Sequence, residues 1–155
     1  MAFRVQGIDP SIFQHLIGLS DEELASQGVR RHAVDAKPGF PDRIEVRDLE
    51  VGETALLLNY EHHAANTPYR SRHAIFVGEQ SQTALDSVDD LPEAIRTRPI
   101  SLRAFNSAGD MVDAALAEGT DLCPVIARLF DRPDVEYLHA HYAKRGCYAA
   151  RIVRT

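Results

Sequence analysis

Tryptophan is absent from this 155-residue chain and cysteine occurs only twice, at Cys123 and Cys147. Two thiols cannot staple a small secreted scaffold, and without a Cys-x-x-Cys pair there is neither a zinc knuckle nor a redox dithiol. No Gly-x-Gly-x-x-Gly, P-loop or Gly-x-Ser-x-Gly elbow is found, which removes nucleotide binding through those loops and a serine nucleophile raised on a strand-to-helix turn. Positive charge is in deficit, with 17 Lys and Arg against 23 Asp and Glu for a net charge of −6, so there is no global footprint for nucleic acid or an anionic membrane. No apolar run approaches the ~20 residues that cross a bilayer, and Met1 to Pro10 lacks the apolar core of a signal peptide. The expected compartment is therefore the cytoplasm. No linker or repeat interrupts the chain, so residues 1–155 are read as one domain.

What is present is a change of period. Phe3 to Gly7 reads as a short strand, Asp9-Pro10 as the start of a helix to about Leu16, and Ser20 with Glu23 as a capping box for a second helix that Gly28 ends. From Val29 the pattern alternates: 29–34, 43–47, 54–61 and 74–77 are expected as strands of an antiparallel meander, with the doubly apolar Ala55 to Leu58 at its centre. Residues 78–90 read as a polar surface loop and Leu91 to Ile95 as one helical turn. Ile100 to Phe105 is a strand returned by Asn106 to Gly109 into Met111 to Leu116, a strand or a helix. Leu122 to Phe130 repeats apolar residues at helical spacing, and a terminal hairpin runs from Tyr137 to Arg151. The sum is an α+β domain: a mostly antiparallel β-sheet with short helices near the N-terminus and one helix before a C-terminal β-hairpin.

The hairpin carries the densest candidate chemistry. With a three-residue loop at Lys144 to Gly146, His141 would face Ala149 and His139 would face Arg151, leaving space over Ala149 beside two imidazoles. Tyr142 and Tyr148 would point to the core, and Cys147 would sit at the turn beside His141 as a structural thiol. The Tyr60 to His73 segment supplies His62, Arg70 and Glu61, the last as the only plausible general base, and Arg103 lies inside a strand where a buried charge needs a partner. His62, Arg70, Arg103, His139, His141 and Arg151 thus form a candidate pocket for a small anionic or polar molecule. Two alternatives stand beside it. One is a hydrolase or oxygenase using zinc or iron on His139 and His141, with a third ligand from His62, His63, Glu61 or Cys147. The other is an interaction protein with no small ligand.

Pro38-Gly-Phe-Pro41 with Arg43, Gly52-Glu53, Tyr60-Glu61-His62, Pro68-Tyr69-Arg70, Ser101-Leu-Arg-Ala104, His139-Ala-His141 and Gly146-Cys147-Tyr-Ala-Ala-Arg151 form a set. Together they resemble a family of bacterial proteins known as domain of unknown function 1203, over nearly the whole chain. The resemblance implies no activity or ligand. It does imply a cysteine after Phe40-Pro41, where this chain has Asp42, so a redox pair or metal site shared between that position and Cys147 is not expected here.

Overall fold

The computed structural model describes residues 2–155. Nine strands build two antiparallel sheets: β1 (Phe3–Gln6), β2 (Arg30–Ala33), β3 (Thr54–His63), β4 (Ser71–Gly78), β5 (Asp86–Val88), β6 (Pro99–Phe105), β7 (Met111–Glu118), β8 (Tyr137–Tyr142) and β9 (Cys147–Arg154). The larger sheet has the order β5-β1-β9-β8-β6-β7 and the smaller one β2-β3-β4. The α+β class follows as expected, although the alternating segments divide between two sheets.

Local chemistry accounts for the helices. Asp9 accepts from the amide of Ser11 ahead of a 3-10 helix at Pro10–Leu16, and Ser20 and Glu23 complete the capping box of α1 (Asp21–Ser26). Gly28 takes a φ of 73° just beyond it, the left-handed turn for which glycine has no Cβ penalty. A single turn, α2 (Glu93–Arg96), precedes β6. Helix α3 (Leu122–Phe130) buries Leu122, Ile126, Leu129 and Phe130, one stripe at helical spacing. That stripe packs with Leu138, Ala140 and Ile152 of the hairpin in the main core. A second core gathers Ile8, Phe13, Leu24, Leu56, Leu58 and Ile75 beneath the small sheet, and Tyr148 joins it from β9. Among the described residues no helix is long and apolar enough to cross a membrane.

Three expectations need correction. Residues 43–47 form a buried turn and not a strand: Asp42 Oδ1 accepts from the amides of Ile44 (3.1 Å) and Gly78 (2.8 Å), and Oδ2 from the amide of Glu45 (2.7 Å) and the Ser81 hydroxyl (2.8 Å). Val46, at φ 53°, cannot extend. The polar stretch 78–90 contains β5, which pairs with β1 through three residues that show no alternation. The terminal loop has four residues, Ala143 to Gly146, closed by the Gly146 amide on the Tyr142 carbonyl at 2.8 Å.

The Asp42 carboxylate is fully buried, and the donors it satisfies include three amides. Asp42→Ala should therefore lower unfolding stability by about 3 kcal/mol or more, read from urea midpoints at constant m-value. A loss under roughly 1 kcal/mol would show that the turn finds other acceptors.

Candidate functional site

The longer loop moves the hairpin register. Leu138, His139 and Ala140 pair with Ile152, Arg151 and Ala150 as the three-residue loop requires, but a bulge follows, so His141 faces Tyr148 and Tyr142 faces Cys147. The extra residue is Ala149. It is fully buried, so the open space expected above it is closed. A second bulge, between Tyr60 and His63 of β3, turns His63 inward as well.

Together the bulges assemble a group of rings in which His63, His139, His141 and Tyr148 are buried and His62 is half-buried. The His62 ring centre lies 5.0 Å from that of His141 and 6.2 Å from that of His139, and stacks on Tyr148 at 5.5 Å. His63 lies 5.4 Å from His139 and stacks on Phe105 at 4.2 Å. His141 Nδ1 donates to the Gly146 carbonyl at 2.9 Å and His63 Nε2 to the Gly109 carbonyl at 2.8 Å. His62 Nδ1, His139 Nδ1 and His141 Nε2 are buried without a partner. No carboxylate hydrogen-bonds these imidazoles, and burial, ahead of neighbouring positive charge, pushes His62 down to about 4, His141 to about 3 and His139 to about 2. His62, His139 and His141 are therefore neutral at pH 7.

The other predicted site residues fall around this group or away from it. Arg103 pairs in register with His139 across β6 and β8, and its charge is felt at His62 and His141. Arg151 is exposed and lies over the Tyr137 ring at 4.7 Å. Glu61 and Arg70 instead engage each other at 3.1 and 3.2 Å, and Glu61 hydrogen-bonds to none of the histidines. The proposed base is thereby occupied, its carboxyl held below the usual range by the Arg70 guanidinium. Among the described residues, no three His, Cys, Asp or Glu side chains are grouped so as to hold a metal ion.

A cavity lies elsewhere, between the two sheets. A cleft of about 360 Å³ runs between β4 and the hairpin, and Leu57, Ile75 and Phe76 line it from β3 and β4. Arg43, Arg98, Lys144 and Arg145 line it, and no Asp or Glu does. Arg43 is 1% exposed, and its donors reach the Tyr148 carbonyl (2.8 Å), the Pro41 carbonyl (2.6 Å) and the Cys147 sulfur (3.0 Å). Arg98 shares its charge with Asp48 at 2.6 and 3.0 Å. Both guanidinium carbons stand 5.0 Å from the centre of the Tyr142 ring. Tyr142 is 5% exposed, its hydroxyl has no partner, and burial pushes it up to about 12. Cys147 therefore faces Arg43 and not His141, because the bulge places Cys147 opposite Tyr142.

Sequence reading missed most of this cleft. Arg43 was hidden in a segment read as a strand and Arg98 carried no motif; the pair Lys144-Arg145 beside Cys147 was the one visible signal. The model of a family described as "Protein of unknown function (DUF1203)" matches residues 39–154, a span that contains every residue lining the cleft. No curated protein and no solved structure matches the chain.

The dry histidines have a pH consequence. Their folded values lie below the ordinary 6.5, so the unfolded chain binds protons that the folded one does not. Stability is then greatest above pH 6.5 and falls as pH drops from there toward 4, each imidazole adding a slope of about 1.4 kcal/mol per pH unit. Urea titrations between pH 7 and 5, above the carboxylate range, should show this loss. His139→Phe should remove about one proton from the slope while retaining stability at pH 7.5; an unchanged slope would locate the proton uptake elsewhere.

Proposed function

The chain belongs to the DUF1203 family, and we propose that it binds a small organic anion in the cleft between its two sheets. The observation that carries this reading is a cleft lined by four cationic side chains and no carboxylate, in a chain whose net charge is −6. A protein with excess acid that keeps acids out of one cavity maintains a local positive field there, which draws in and holds anions. Among the described residues Arg98 has its charge matched, by Asp48, while Arg43, Lys144 and Arg145 form no salt bridge to a carboxylate.

The ligand chemistry follows from the walls. Leu57, Ile75, Phe76 and Pro99 favour an apolar body, while Lys144 and Arg145 at the exposed loop meet a carboxylate or phosphate. The unpartnered Tyr142 hydroxyl supplies a donor, and burial keeps it protonated. This keeps the expectation of a small anionic ligand and moves it from the histidine face to the neighbouring cleft. Arg103 lies half-buried beside the histidines, outside this cleft.

Thermal or urea unfolding against a panel of aromatic and branched aliphatic carboxylates, each with its amide, tests the reading. A carboxylate at 100 times its dissociation constant should add about 2.7 kcal/mol, and its amide much less. Lys144→Glu with Arg145→Glu, both on the exposed loop, should weaken binding by about tenfold or more. Equal stabilisation by acids and amides, or none by either, would remove anion binding.

A further inference from the structure

The buried guanidinium of Arg43 lacks a counter-charge. A cation that is 1% exposed is costly unless paired, yet its three hydrogen bonds go to two carbonyls and one sulfur. Of those three acceptors only Cys147 Sγ can carry a full negative charge. The sulfur lies 3.0 Å from Arg43 Nη2, and Cys147 is 9% exposed, on the wall of the cleft. The guanidinium donates to the sulfur and so fixes the position of Sγ on that wall. A second feature at the same wall points to a ligand: Tyr142 lines the cleft, is 5% exposed, and its hydroxyl has no hydrogen-bond partner among the described residues.

We infer that Cys147 is a nucleophile serving this cleft, and that its reaction partner is a small organic anion bearing an electrophilic carbon. The inference rests on the anion-binding reading above and adds a covalent step to it. Lys144 and Arg145 hold the anionic end of the incoming molecule and Arg43 holds the sulfur in place. In that step the thiol proton passes to solvent, a bond forms between Sγ and the electrophilic carbon, and the leaving group departs with the electron pair of the bond it breaks. No oxidation state changes at sulfur, so no redox partner is needed.

The chain contains its own control. Cys123 is exposed at the start of α3, so the two thiols can be compared in one folded molecule. Iodoacetate and iodoacetamide deliver nearly the same carbon with and without a negative charge, and each loses iodide on alkylation. Rates at each cysteine, followed by peptide mass spectrometry, should show an acetate-to-amide ratio at least about tenfold higher at Cys147 than at Cys123. Lys144→Glu with Arg145→Glu should bring the Cys147 ratio down to that of Cys123. A stabilising carboxylate should protect Cys147, and not Cys123, from iodoacetamide.

If carboxylates stabilise the fold while Cys147 stays inert to both reagents, the nucleophile is overturned and the binding cleft stands. If carboxylates do not stabilise it and Cys147 shows the same ratio as Cys123, the anion reading fails and takes this inference with it.

Discussion

Arg43 is the constraint on which the rest of this structure depends. Its guanidinium sits between the 34–53 connection and the terminal hairpin, holding Pro41 on one side and Tyr148 and Cys147 of β9 on the other. A charge so enclosed tolerates little movement, because each lost hydrogen bond leaves a buried donor unpaired. By holding the Tyr148 carbonyl it fixes β9 at its bulge, and by standing against the Tyr142 ring it fixes the end of β8. The cleft follows from that clamp, since Arg43, Tyr142 and Cys147 make one wall and β4 supplies the other.

The two bulges then decide which chemistry each face receives. Without the one in β9, Tyr148 would lie opposite Tyr142 as simple alternation requires, and the histidines would look onto alanine. With it, Tyr148 covers His62 and His141, and Cys147 moves to the guanidinium. The bulge in β3 likewise brings His63 against His139 and Phe105. One extra residue in each strand therefore separates a dry aromatic cluster from a cationic cleft only a few residues away along the same hairpin.

That also explains how far the sequence could be read. Period was legible: α3 follows from a stripe of apolar residues at helical spacing, and β3 and β8 from runs whose partners lie close in the chain. Register was not. A hairpin loop of three or four residues is a choice among turns that Lys144-Arg145-Gly146 satisfies either way, and a slip of one residue exchanges the faces. The turn at 43–47 was hidden for a different reason. Its residues alternate as a strand does, while the groups that bend it, the Gly78 amide and the Ser81 hydroxyl on Asp42, lie more than thirty positions away. The histidines were found because they are close in sequence. The cleft was missed because Arg43, Arg98 and Cys147 meet only in the fold.

The contrast between the two faces is electrostatic. An imidazole can enter a dry interior by giving up its proton, so His139 and His141 need no counter-ion at neutral pH and make no demand on a ligand. A guanidinium has no such escape, because it stays protonated throughout the accessible range. Arg43 is therefore held by hydrogen bonds to two carbonyls and a sulfur, with no carboxylate among those partners. Many suggestive polar residues in one place, as on the histidine face, are thus a weaker sign of function than one buried charge that its own chain leaves unmatched.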